Sequence, residues 1–223
     1  MKILILAAMD KEVSLLENLL IAPKETYQNG LRIINGKIGL HDVAISKCGI
    51  GKVNSALNAF RLIELLKPDL LLNSGVAGGA ALPIGTVLVA DNIVYSDVWC
   101  GPGTDYGQAD GIPLYMKPCE RIMGIAEKFK DKISFGLICS SDKFISTKEE
   151  IKFIKNKFPE VKAVDMESAS IAQTCFITDT PFAVVRVVSD TPGEGENISQ
   201  YKDFWKEAPV KTFNILSEII NCF

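Results

Sequence analysis

Carboxylates recur in this chain at the ends of apolar runs. Asp10 and Glu12 follow the run Lys2 to Ala8, with Met9 leading into them. Asp165 and Glu167 flank Met166 after Val161 to Val164, and Asp190 follows Ser189 at the end of the run that starts at Pro181. Glycine-rich stretches, Gly49-Ile50-Gly51 and Ser74 to Gly79, follow two further apolar runs. Carboxylates in unlike surroundings can divide proton transfer between them, one acting as base and the other as acid. Each feature also has a plain structural explanation. Acids at 10 and 12 open a helical stretch and those at 165 and 167 lead into another, where they complement the macrodipole. Asp190 opens a Thr-Pro-Gly loop, where aspartate is an ordinary turn former. The glycines of 75–79 could serve a tight turn. Gly49-x-Gly51 has Asn54 where a dinucleotide fingerprint has its third glycine, and no phosphate-loop pattern occurs.

The elements that must position these residues alternate. Residues 2–8, 42–48, 69–73, 86–95, 134–140, 161–164 and 181–189 read as strands from their short apolar or β-branched runs. Residues 10–20, 52–66, 119–129, 147–158 and 166–176 read as helices, and 199–220 as mostly helical despite Pro209. Ser146 or Thr147 is the expected cap of the helix at 147–158. Asn29-Gly30 and Asn35-Gly36, within 27–37, are both hairpin-turn signals, so the sheet is expected to be mixed. Strands alternating with helices predict an α/β three-layer sandwich, a mixed central sheet flanked by helices, as one domain over 1–223. In such sheets ligands bind beyond the carboxyl ends of the strands. Three strand ends therefore bring carboxylates to one edge of the sheet, beside glycine-rich backbone.

Composition excludes several classes. The net charge of −3 offers no basic footprint for nucleic acid. The six cysteines form no C-x-x-C pair and the single His41 has no cysteine near it in sequence, so no metal site is expected. Residues 70–90 carry no charged side chain, but Gly75, Gly78, Gly79, Pro83 and Gly85 interrupt them, which argues against a membrane span. The N-terminus lacks the pattern of a signal peptide, so a reduced, cytoplasmic protein is expected.

The stretches MKILILAAMDKEV (1–13), GIGKVN (49–54), NSGVAGG (73–79), YGQADGIP (106–113), SSDKFIS (140–146), VDMES (164–168) and PFAVVRVVSD (181–190) resemble, in order and spacing, the 5′-methylthioadenosine/S-adenosylhomocysteine nucleosidases of the purine nucleoside phosphorylase superfamily. The resemblance covers nearly the whole chain. It implies the phosphorylase/hydrolase-like fold, no cofactor, and a homodimer whose neighbour contributes to each pocket. It implies hydrolysis of a 5′-modified adenine nucleoside by water, in methionine salvage and nucleoside catabolism. Carried over by position, Glu12 resembles the acid that activates water, and Asp190 the acid that serves the purine leaving group. Met166 and Glu167 resemble ribose contacts, with Arg186 and Ser189 as supports. Phe144 and the Ile145 backbone resemble the adenine platform, Met9, Ile50 and Tyr201 the wall of the 5′ pocket, and Gly78 a backbone contact.

Cleavage of an N-ribosidic bond builds cationic character on the sugar and leaves the purine anionic unless N7 is protonated. A base for water and an acid for the purine are the types this chemistry needs. The sequence departs from the family at Val76, where many members carry serine, at Asp165, where glutamate is more common, and in a shorter loop at 98–105. Alternatives on the same fold are a nucleoside phosphorylase and a futalosine-type nucleosidase. An alternative of another class is a non-catalytic nucleoside-binding module. A phosphorylase needs cations for phosphate, and of the four arginines only Arg186 sits at a predicted site edge.

Overall fold

The computed structural model describes residues 1–207 and 210–223. Its nine strands are β1 (Lys2–Ala7), β2 (Ile21–Gln28), β3 (Leu31–Ile38), β4 (His41–Lys47), β5 (Leu70–Gly79), β6 (Val87–Tyr95), β7 (Ser134–Ser140), β8 (Val161–Asp165) and β9 (Phe182–Asp190). Its helices are α1 (Asp10–Glu17), α2 (Lys52–Leu66), α3 (Glu120–Ala126, extended by a 3₁₀ turn), α4 (Lys148–Lys157), α5 (Ser168–Ile177), α6 (Asn197–Glu207) and α7 (Val210–Ile220).

All strands belong to one mixed sheet of order β2-β3-β4-β1-β5-β8-β7-β6-β9. β9 also pairs with β5, so the half of the sheet from β5 onward curls and closes on itself. The alternation in β1 sends Ile3 and Ile5 to one face and Leu4 and Leu6 to the other, all fully buried. α1, α3, α6 and α7 cover the first face, while α2 and α5 cover the second. Ile151, Ile154 and Phe158 seal the outside of β7 and β8 with α4. The expected layered α/β architecture is therefore present.

Several boundaries differ from the sequence reading. Asn29-Gly30 is a hairpin turn, but Asn35-Gly36 is not: both residues lie inside β3, and the chain turns at Gly39-Leu40, with Ile38 opposite His41. A turn at Asn35 would have pulled Ile38 out of the core, where it is 2% exposed. The stretch 74–79 is not a loop. β5 runs through it, paired with β9 from Leu71 to Gly78 and with β8 at Gly78 and Gly79, and the chain leaves the sheet only at Ala80. α1 stops at Glu17 rather than residue 20. α5 starts at Ser168, which leaves Met166 and Glu167 in the bend before it. Thr147 caps α4, accepting the Glu150 N–H. The expected 199–220 helix is divided into α6 and α7, and Pro209 lies outside the described residues. No helix among the described residues is long and apolar enough to cross a membrane.

Candidate active site

The carboxyl ends of β1, β5, β8 and β9 open onto a cavity of ≈ 150 Å³. Met9, Glu12, Ile50, Gly78, Phe144, Met166, Glu167, Ser189, Asp190 and Tyr201 all line it, with Val76 and Asp165. Ile145 lines its extension beside Gly78, Met166 and Asp190. Arg186 is the expected site residue that lies beneath the wall rather than on it.

Glu12 sits in the first turn of α1 and is 1% exposed. Its Oε2 accepts the N–H groups of Ala8 (2.8 Å) and Met9 (3.0 Å), and its Oε1 accepts the Val76 N–H (2.9 Å). Burial raises its pKa, while Arg186 and the three N–H donors pull the other way. Gly75 makes this approach possible. A Cβ there would lie 2.4 Å from Glu12 Oε1 and 2.5 Å from Arg186 Nη1. The small residue in β5 therefore serves close packing of functional groups, not a turn.

Arg186, 1% exposed, is the hub of a buried polar network. Its Nη2 contacts Asp165 Oδ2 at 2.6 Å and Asn73 Oδ1 at 2.8 Å, with Glu167 Oε2 at 3.6 Å. Nε and Nη2 both reach Ser168 Oγ. Burial opposes the guanidinium charge, and Asp165, Glu167 and Glu12 outweigh it. Only a planar fork can serve these partners together, which a lysine cannot do. Asp165 also accepts from Ser140 Oγ (2.5 Å) and from the hydroxyl and N–H of Ser168. With its anchor held in this way, Glu167 turns Oε1 to the Gly51 N–H (3.0 Å). Burial pushes Glu167 up to about 7, against the pull of Arg186 and with a further rise from Asp165.

Asp190 owes its direction to a β-bulge. Val188 pairs with Ala77, but the next β5 residue, Gly78, pairs with Asp190, so Ser189 is an extra residue in β9. A bulge re-aims side chains, and here Ser189 and Asp190 both reach the cavity. Asp190 is 2% exposed and accepts from Ser189 Oγ (2.7 Å) and Asn197 Nδ2 (3.2 Å). Burial raises its pKa, and these two neutral donors lower it. Asn197 also donates to the Ile145 carbonyl (3.2 Å), tying the start of α6 to the loop after β7. At the far wall the Tyr201 hydroxyl donates to Met9 Sδ (3.2 Å), and the Phe144 ring meets Tyr201 edge-on.

The sequence reading missed Asn73, Gly75, Ser140, Ser168 and Asn197 as parts of this assembly, and placed Asp165 among the strand-end carboxylates without giving it a role in the site. Asn73 had a usable signal, a polar residue at the end of an apolar run. Asn197 had none. Among the described residues no group of three or more His, Cys, Asp or Glu is placed to hold a metal ion.

A mixed, partly closed sheet with this cavity at its strand ends defines a class of protein. The family model of the Phosphorylase superfamily matches residues 2–221. The 5′-methylthioadenosine/S-adenosylhomocysteine nucleosidase of Glaesserella parasuis is 37% identical, with 100% of each chain covered. The S-adenosylhomocysteine nucleosidase of Streptococcus pyogenes, solved in complex with 5-methylthiotubericidin, superposes with a TM-score of 0.94 at 35% identity, covering 100% of this chain and 97% of that one. A futalosine hydrolase mutant of Helicobacter pylori shares the fold with a TM-score of 0.91 but at 26% identity, covering 100% of this chain and 99% of that one. The chain belongs to the phosphorylase superfamily and, within it, to the 5′-methylthioadenosine/S-adenosylhomocysteine nucleosidase family.

Proposed function

We propose that the chain, as a single catalytic domain over 1–223, hydrolyses the N-ribosidic bond of 5′-methylthioadenosine and S-adenosylhomocysteine and releases adenine. The observation that carries this reading is one cavity with two buried carboxylates in contrasting settings. Burial raises the pKa of Glu12, but the field of Arg186 and three backbone N–H groups oppose that rise and support its carboxylate form. Asp190 has neutral partners and a pKa raised by burial, which favours the acid. Glu12 takes a proton as water oxygen bonds to C1′. The C1′–N9 bond breaks, and Asp190 delivers its proton to purine N7. Glu167 and Met166 hold the ribose, supported by Arg186 and Ser189. Phe144, the Ile145 backbone and Gly78 hold the purine. Met9, Ile50 and Tyr201 wall the 5′ substituent.

Among the described residues lining the cavity around Glu12 there is neither lysine nor arginine. Arg186 is already engaged by Asp165, Asn73 and Ser168. Lys143, which lines the extension of the cavity, is paired with Glu150, so this lining favours water over phosphate as the acceptor. The test is adenine release with and without phosphate. Equal rates are expected, and a strict phosphate requirement would sink hydrolysis. The 5′ wall predicts a further result. The Tyr201 hydroxyl donates to Met9 sulfur, and Met9, Ile50 and the Tyr201 ring make the 5′ wall largely apolar. A thiomethyl group gains about 0.8 kcal/mol per CH₂-sized unit, whereas a free hydroxyl pays to leave water. The kcat/KM for methylthioadenosine is expected to exceed that for adenosine by roughly 10–200-fold. Adenosine as the better substrate would refute the apolar wall.

The homodimer is proposed on a surface feature. Val53, Leu57 and Phe60 share one face of α2 and are 68%, 58% and 49% exposed, beside exposed Ile50. Trp99, 60% exposed, stands in the 98–105 loop. Large apolar patches of this kind mark association surfaces. Sedimentation equilibrium of wild type should read twice the 24.4 kDa chain mass, and Leu57→Asp should read it once. A monomeric wild type would refute the dimer. A cytoplasmic place in methionine salvage fits six free cysteines, two of them exposed.

A further inference from the structure

Three loops meet around Lys52, the first residue of α2, and the proposed reaction uses none of its polar contacts. The N-cap of α2 is Gly51, which has no side chain to accept a helix N–H. Asp142, in the loop after β7, supplies the acceptor: its Oδ1 takes the Lys52 N–H at 2.7 Å. The Asp142 N–H in turn donates to Asp97 Oδ2 (2.9 Å), just past the end of β6. Lys52 Nζ closes the ring, donating to both Asp97 oxygens at 2.9 Å, with Asp142 Oδ2 at 4.0 Å and the Tyr95 ring centre at 5.5 Å. The loops are in close contact. A Cβ on Gly51 would lie 3.0 Å from Asp142 Oδ1.

Two of the joined loops carry part of the site. The 49–51 turn presents Ile50 to the cavity, and its Gly51 N–H holds Glu167. The loop after β7 presents Phe144 and Ile145. Exposed ion pairs often contribute little. This one is partly shielded, with the Lys52 side chain 22% exposed and that of Asp97 32%. Its backbone hydrogen bonds also make it a ring rather than a pair.

We propose that Lys52 is a positioning residue, whose ring with Asp97 and Asp142 holds the ribose-side turn and the purine-side loop in one register. This rests on the nucleosidase reading. A ligand spanning both sides depends on the register. Adenine alone meets only the purine side, and the Asp142 N–H to Asp97 bond that steadies that side does not involve the Lys52 ammonium.

Lys52→Met keeps the backbone N–H and most of the stem but removes the ammonium. It should lower kcat/KM for methylthioadenosine by about 10- to 100-fold, the scale of a small misplacement of bound groups. The Kd of free adenine should move by less than about threefold, and Lys52→Arg should recover most of the loss. Asp97→Asn offers a second route if Lys52→Met does not fold, with the same pattern and a smaller loss. The double variant should be no worse than Lys52→Met, because both changes open one ring. Unchanged kcat/KM, an equal loss of adenine affinity, or a changed sedimentation mass would each overturn the proposal. Wild-type protein, assayed in parallel, separates the two readings: failure to cleave methylthioadenosine strikes the nucleosidase assignment, whereas the variant ratios strike only the ring.

Discussion

Glu12→Gln is expected to lower kcat for methylthioadenosine hydrolysis by about 10²–10⁴-fold, the usual contribution of a positioned base, while adenine still binds. The structure says how the substituted side chain will sit. Two N–H donors aim at Oε2 and one at Oε1. The amide oxygen of glutamine therefore stays at the Oε2 position, and its NH₂ group turns toward Val76. A donor then stands where a proton acceptor was, and water has nowhere to lose its proton. The crowded donor facing Val76 costs about 1–3 kcal/mol for one frustrated buried group, and losing a charge whose burial raises the pKa offsets part of that cost. Because burial raises the pKa of Glu12, the acid limb of the wild-type kcat/KM profile should lie above the ordinary carboxylate value of 4.5. Stopped turnover at all pH values, with adenine affinity within about threefold of wild type, supports the base role. Turnover near the wild-type rate would leave Glu12 as an acid that merely opens a helix.

The parts of this site that could be read from the sequence are those set by local rules. Glu12, Glu167 and Asp190 stood out because an acid ending an apolar run in an alternating α/β pattern falls at the ligand edge of the sheet. Local rules failed where distant chain segments compete for the same space. Asn35-Gly36 is as good a turn signal as Asn29-Gly30, and only the burial of Ile38 decides against it. Gly75 reads as a turn glycine until Glu12 and Arg186 are seen on either side of it. Arg186 is one arginine in a β-branched run. Its role depends on Asn73 and Asp165, which reach it from other strands. Asn197 and Asp142 are the extreme cases. One ties α6 to Asp190 and the other caps α2 from 90 residues away, and nothing near either residue in the chain announces it.

Asp190→Asn should separate the two halves of the reaction. With an adenine nucleoside the loss is expected to be about 10²–10⁴-fold, because the purine must leave as an anion without its acid. With a nitrophenyl riboside, whose leaving group needs no proton, the loss should be less than about tenfold. The substitution suits the site. Asn197 can still donate to the remaining oxygen at 190, and the new NH₂ meets Ser189. The Ser189 hydroxyl can swing from Asp190 to the Ala77 carbonyl, 3.3 Å away, and accept in its place. Geometry is thus retained while the proton is lost. A stability measurement gives an independent check with a definite sign. Burial raises the folded-state pKa of Asp190 above its ordinary value of 3.8, so between that value and the raised one the folded protein holds a proton that the unfolded chain has released. Wild-type stability therefore declines as pH rises through this window. Ligand-free Asp190→Asn, which has no charge to bury, should be more stable than wild type at neutral pH, and the gap should close as pH falls toward 3.8. Equal kinetic losses on both substrates, together with a variant less stable than wild type at neutral pH, would make Asp190 a structural residue of the bulge and leave the purine without its acid.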